Sequence, residues 1–243
     1  MPTHTPPKQV VILGASGGIG AALVQHYAAQ PHVETVHAVS RQGDTPEGGP
    51  VVVPHAADIT DEASLIALAD ALEAPDLIIL ATGILSDGTA LKPEKSLKQQ
   101  SLPAFEQVFA VNTFGPAMAA RHLIPRMPRD RRTIFAALSA RVGSISDNGL
   151  GGWHAYRASK AALNMLLRNY AIEMARLNPD FVCAGLHPGT VDTDLSRPFS
   201  RAVPEGKLFT PAYAADCLAG VIAGLSPVNS GMVFDWAGKP VPA

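Results

Sequence analysis

Cysteine is scarce: Cys183 and Cys217 are the only two among 243 residues. They form no metal or redox spacing and both sit in apolar segments, so buried free thiols in a reducing cytoplasm are expected. Net charge is nearly absent as well. Nineteen Lys and Arg against 21 Asp and Glu leave a formal charge of −2, which gives nucleic acid or an anionic membrane no electrostatic hold. No uninterrupted apolar run approaches the ~20 residues of a membrane helix. The opening "MPTHTPPK" lacks an apolar stretch, so it is not expected to be a secretory signal. None of the eight histidines falls at a metal-ligand spacing, and no metal site is expected. There is no repeat, low-complexity tract or long linker. A chain that is 47% apolar and only 16% charged suits one well-buried domain, 1–243.

What is present alternates. Short apolar runs at 9–13, 33–39, 51–56, 76–81, 133–138, 181–186 and 232–236 read as strands. Most are apolar at nearly every position, as strands covered on both faces are. Helical patterns lie between them at about 18–30, 61–73, 103–124, 153–177 and 211–224. Thr60–Asp61 and Ser101 with Pro103 supply helix-start chemistry. Repeated β–α units imply an α/β, Rossmann-type, doubly wound and mainly parallel seven-stranded sheet with helices on both faces. The loop 41–50 replaces a helix with Gly and Pro, and 86–100 reads as a polar, mobile loop.

The first strand runs into "GASGGIG", with glycines at 14, 17, 18 and 20, and then directly into a helix. Such a turn lets a pyrophosphate approach free N–H groups at the positive end of a helix. A structural turn could use the same residues, but this position in a βαβ unit favours a dinucleotide. Past the second strand, NAD-binding chains place a carboxylate for the ribose 2′-hydroxyl. Here Ser40 and Arg41 stand there, and a guanidinium forks onto a phosphate. NADP is therefore favoured.

"AYRASKAALN" places Tyr156 and Lys160 four residues apart, on one helix face. Alone, the pair is equally an exposed Lys beside a half-buried Tyr. Together with the glycines, "YRASK" resembles the short-chain dehydrogenase/reductase family over essentially the whole chain. Within it, "LSARVGSISDNGLGGWHAYRASKAALNML" is most similar to the C-factor and sniffer-like branch of carbonyl reductases. The resemblance implies that Gly14, Ser16, Gly18, Ile19 and Gly20 hold the cofactor at the first turn. It adds Ser40 and Arg41, the adenine-side Asp58 and Ile59, and the Ala81, Thr82, Gly83 stretch. "HPGTVDT" contributes Pro188, Gly189, Val191 and Thr193 to the nicotinamide side. Tyr156 then exchanges the proton, Lys160 tunes it and binds ribose, and Asn112 holds a water that links Lys160 to solvent. A homodimer or homotetramer is implied by the same analogy.

Three departures stand out. Leu13 replaces the Thr before the first glycine, and Leu80-Ala81-Thr82-Gly83 replaces Asn-Asn-Ala-Gly. Ala140 occupies the place of the catalytic Ser, flanked by Ser139 and Ser144. Ser139 is nearer and is taken as the catalytic serine, although strand alternation would aim it away from the site if the backbone stays regular. Phe199, Arg197 and Arg201 fall in the segment covering the substrate in this family, and Trp153 either lines that pocket or packs in the core. The chemistry expected is hydride transfer between NADP(H) and a small or medium carbonyl or alcohol. The alternative is an NADP-binding, C-factor-like signalling protein with little turnover.

Overall fold

The computed structural model describes residues 5–44, 46, 49–204 and 206–243. The first four residues, part of the 41–50 loop (Thr45, Glu47, Gly48) and the Arg201 side chain lie outside the described residues. Strand β1 (Gln9–Leu13) leads into helix α1 (Gly18–Ala28), followed by β2 (Thr35–Ser40), β3 (Val52–Ala56), α2 (Glu62–Ala71) and β4 (Leu77–Leu80). Then come α3 (Leu102–Phe109), α4 (Gly115–Leu123), β5 (Thr133–Leu138), α5 (His154–Met174) and β6 (Phe181–His187). The chain closes with β7 (Thr190–Val191), β8 (Leu208–Phe209), α6 (Pro211–Gly224), β9 (Met232–Asp235) and β10 (Pro240–Val241).

The main sheet has the order β10-β9-β6-β5-β4-β1-β2-β3. Every pairing in it is parallel except β10 with β9. All seven expected strands form. The eighth, β10, corrects the expected count, because a two-residue strand carries no periodic signal. A separate pair, β7 with β8, is likewise too short to carry a periodic signal. Strand β1 pairs with both β2 and β4, so the strand order reverses there and opens a crevice at the C-terminal strand ends.

Alternation within each strand feeds two cores. Val10, Ile12, Ile134 and Val182 face α1 and α6, meeting Leu23, Leu218 and Ile222. Val11, Ile78, Phe135 and Cys183 face the opposite layer, meeting Leu65, Leu123, Leu163 and Leu167. Covering both faces is what makes these strands apolar at nearly every position. Cys183 is buried as expected, but Cys217 is only partly so, because it stands on an outer helix.

Asp61 and Ser101 cap α2 and α3 by accepting from Ala63 N–H at 3.0 Å and Ala104 N–H at 3.4 Å. The helix expected at 103–124 forms without a gap but is not α-helical throughout. A π-helical turn at Ala110–Phe114 joins α3 to α4, and a turn of that kind inside a helix carries no composition signal of its own. The 86–100 loop is tied down: Leu91 and Glu94 are buried in it. No described helix is long and apolar enough to cross a membrane.

Candidate active site

A cleft of about 800 Å³ opens at the crevice above β1 and β4. Its floor is the first turn. Gly14 takes φ +88°, a left-handed conformation costly for any residue with a Cβ. Gly18 lies so close to the 187–193 segment that an added Cβ would meet Thr193 Cγ2 at 2.7 Å. The turn and the 187–193 segment therefore form one backbone cradle. Ser16, Gly18, Ile19 and Gly20 line it from below, and Pro188, Gly189, Val191 and Thr193 from the side. Ala81, Thr82 and Gly83 complete the wall at the end of β4.

Arg41 lines the same cleft and is exposed. Asp58 is not among the lining residues. Its Oδ1 accepts from Thr60 N–H at 2.8 Å and Thr60 Oγ at 2.7 Å. Those bonds, then the charge of Arg41, hold its carboxyl below the usual range. Ile59 is buried against Gly115. Three buried polar atoms near the cleft have no hydrogen-bond partner among the described residues: Ser40 Oγ, Thr82 Oγ1 and His187 Nδ1. Buried groups of this kind are costly unless something satisfies them. A cradle of small residues, a guanidinium and unsatisfied polar atoms fits a phosphorylated, hydrogen-bonding ligand.

Tyr156 and Lys160 lie side by side on α5, both in the cleft wall. Only 8% of the tyrosine and 3% of the lysine is exposed. Lys160 Nζ stands 5.8 Å from the Tyr156 ring centre and donates to Leu138 O at 2.8 Å. Burial pushes the phenol up to about 12 and the ammonium down to about 8. For the lysine that corresponds to about 3 kcal/mol against the charged form. Lys160 is expected to tune the phenol, yet in the free protein burial alone sets the direction of its shift. Burial is the cause of that upward shift, and the phenol stays protonated at neutral pH.

Asn112 sits within the π-helical turn and is fully buried. Its Oδ1 accepts from Ile84 N–H at 2.8 Å, and its Nδ2 donates to Ile84 O at 2.8 Å and Ser159 Oγ at 3.2 Å. Lys160 Nζ and Asn112 Oδ1 both border Gly83, where a Cβ would meet them at 3.6 and 3.4 Å.

The serines go elsewhere. Ser139 borders the cleft, but its hydroxyl donates to Asn164 Oδ1 at 2.6 Å. That is the direction regular alternation predicts, onto the α5 face. Ser144 accepts from Asp147 N–H at 3.1 Å and lines a different cavity with His154. Ala140 packs with Tyr156 and Ala155, with Trp153, Leu195 and Phe199 against them. Trp153 therefore does both things considered for it. Arg197 is exposed and paired with Asp194 at 2.7 Å. Among the described residues no group of three or more His, Cys, Asp or Glu could hold a metal.

A model of the short chain dehydrogenase family matches residues 8–203. The chain belongs to the short chain dehydrogenase family. C-signal of Myxococcus xanthus is 36% identical over 137 residues, spanning 56% of this chain and 76% of that protein. The 1-hydroxy-2-glutathionyl-2-methyl-3-butene dehydrogenase of Rhodococcus sp. (strain AD45) is 28% identical over 222 residues, 91% of this chain and 93% of that protein. Among solved structures, NADPH-bound carbonyl reductase from chicken fatty liver superposes with a TM-score of 0.83 at 25% identity. That match covers 97% of this chain and 94% of the other.

Several groups in this short chain dehydrogenase escape sequence reasoning. Ser159 and Asn164 share the helix face of Tyr156 and Lys160, so their i+3 and i+8 spacing could have marked them. His187 precedes the Pro-Gly segment directly. Glu94 carries no local signal, because its partner Ala155 is 61 residues away.

Proposed function

We propose that this short chain dehydrogenase is an NADP(H)-dependent oxidoreductase that reduces a small or medium carbonyl, or oxidises the alcohol in reverse. The observation that carries this reading is a protonated, buried phenol and a buried ammonium facing the same cleft as the glycine cradle. Gly14, Ser16, Gly18, Ile19 and Gly20 hold the pyrophosphate, Arg41 and Ser40 the 2′-phosphate, and Asp58 and Ile59 the adenine side. Ala81, Thr82 and Gly83 border the ribose, while Pro188, Gly189, Val191 and Thr193 seat the nicotinamide. The bound dinucleotide supplies a hydride to the substrate carbon.

The protein's part is to orient that carbon and manage one proton. Tyr156 donates its phenolic proton to the carbonyl oxygen as the oxygen gains charge. Lys160 stabilises the phenolate left behind and holds ribose hydroxyls. Asn112, wedged between Ile84 and Ser159, keeps the π-helical turn beside Lys160, where a water relays the proton from solvent. Folding of 1–243 as one domain, a cytoplasmic location and a homodimer or homotetramer belong to the same reading. A screen of NADPH consumption against aldehydes, ketones and quinones tests it, and consumption with none of them would contradict it.

Ser139 is the serine we assign to the substrate oxygen, since it borders the cleft and Ser144 does not. It donates there only by turning from Asn164. Ser139→Ala should lower kcat on the order of 10²–10³-fold, the cost of one oxyanion donor, whereas Ser144→Ala should leave kcat unchanged. Steady-state kinetics check both, and normal kcat in Ser139→Ala would mean that Tyr156 works without a serine.

A second reading rests on the 36% identity to C-signal together with Ala140. In it, the chain binds NADP(H) and signals without turnover.

A further inference from the structure

The chain enters α5 through an unusual backbone run. Gly151, Gly152 and Trp153 take φ +64°, +68° and +51° in succession. Two glycines adopt that conformation freely, but a tryptophan does not, and such strain persists only where neighbours over-determine it. Here the neighbour is Glu94. Its backbone oxygen accepts from Trp153 N–H at 2.5 Å. Its carboxylate, 3% exposed, accepts from Ala155 N–H at 3.4 and 3.3 Å through its two oxygens. One residue of a distant loop thus fixes both the strained tryptophan and the first turn of the helix that bears Tyr156.

The tryptophan held this way has an aromatic purpose. Its ring meets Tyr156 edge-on, with centroids 6.3 Å apart and planes at 76°. On its other side it contacts Phe199 at 5.3 Å. Phe199 belongs to the segment Arg197–Ala202, so Trp153 joins the helix of the acid to the segment above the cleft. Ala140, in place of a polar serine, extends the same apolar wall.

We infer that Glu94 is a positioning residue for Tyr156, and that Trp153 is a specificity-determining residue selecting aryl aldehydes and ketones over aliphatic ones. This rests on the reductase reading above. An aryl ring gains edge-to-face contacts on Trp153 and Phe199 that an alkyl chain does not. Glu94 acts through the backbone: its carboxylate anchors to α5 the loop whose Glu94 carbonyl holds Trp153, so without that cap the first turn of α5 and the Trp153 conformation relax together, and small misplacements of an acid are costly.

Three variants separate these roles. Trp153→Gly takes the left-handed conformation without strain, and a circular dichroism spectrum and NADPH Kd like the parent's establish that it is folded. Its kcat/KM for benzaldehyde should fall about three- to tenfold relative to that for butanal; an unchanged ratio overturns the specificity assignment. Glu94→Ala should lower kcat about ten- to a hundredfold for both aldehydes with the NADPH Kd unchanged. Glu94→Gln, which keeps an acceptor for Ala155 N–H, should restore most of it. Wild-type kcat in Glu94→Ala overturns the positioning role.

Indole fluorescence needs no turnover. In a Trp236→Phe background, Glu94→Ala should shift Trp153 emission to the red and Glu94→Gln should not; unshifted emission in Glu94→Ala overturns the positioning role. Should Glu94→Ala fail to fold, Glu94→Asp replaces it: its shorter arm should reproduce the loss in kcat and the red shift, and wild-type values of both overturn the role. A failure of the reductase reading, seen as no turnover by the parent, is thereby distinct from a failure of this one.

Discussion

Tyr156→Phe should abolish carbonyl reduction and leave NADPH affinity nearly intact. The substitution removes one hydroxyl and almost no volume from a side chain packed among Ala140, Ala155 and Trp153, so the cleft keeps its shape. What disappears is the proton donor. Positioned acids contribute about 10²–10⁴-fold to such steps, and no described serine hydroxyl is turned toward the phenol to replace it. The phenol of the free protein is held near 12 by burial, so at neutral pH it is present as the acid that reduction needs. Lys160, pushed down to about 8, is mostly charged below that pH and able to stabilise the phenolate. Parallel measurements of kcat and NADPH Kd in the variant decide the matter; wild-type kcat would remove Tyr156 from the reaction.

Arg41→Asp should reverse the cofactor preference. In the parent, NADPH should bind more tightly than NADH, because the proposed function places the 2′-phosphate against the Arg41 guanidinium just past β2. A charge-assisted hydrogen bond is worth about 1.5–3 kcal/mol, or roughly ten- to a hundredfold in affinity. The variant loses that contact and adds repulsion between two anions, next to Asp58, whose carboxyl Arg41 already helps keep ionised. The new carboxylate can instead accept from the free ribose hydroxyls of NADH. Calorimetric titration of both proteins with both cofactors gives the four affinities. Equal binding of NADH and NADPH by the parent would contradict the assignment of Arg41.

Much of this fold is legible in the residues. Seven strands stand out because helices cover both faces of the sheet, which makes runs such as 77–80 and 134–138 apolar throughout. The glycine turn and the Tyr156–Lys160 pair are equally visible, since each depends on local spacing. What escapes depends on distant partners. Strand β10 is two residues long and exists only as a partner of β9. The π-helical turn around Asn112 changes a single hydrogen-bonding step inside an otherwise helical pattern. Glu94 looks like one more charge in a polar loop until α5 is placed against it. The phenol shows the limit of arguing from charge alone: a lysine one turn away suggests a lowered value, yet complete burial raises it. Ser139 shows the reverse, because simple strand alternation anticipates a turn away from the site, and the hydroxyl bonds Asn164.

Catalysis rather than binding alone is tested most directly by following the hydride. The parent protein is incubated with NADPH deuterated at the transferred position and an aryl aldehyde, and the alcohol is analysed by mass spectrometry. Deuterium at the carbinol carbon, formed by the parent and not by Tyr156→Phe, is the predicted result. NADPH that binds tightly yet delivers no deuterium to any aldehyde, ketone or quinone would contradict a reductase and favour the signalling reading.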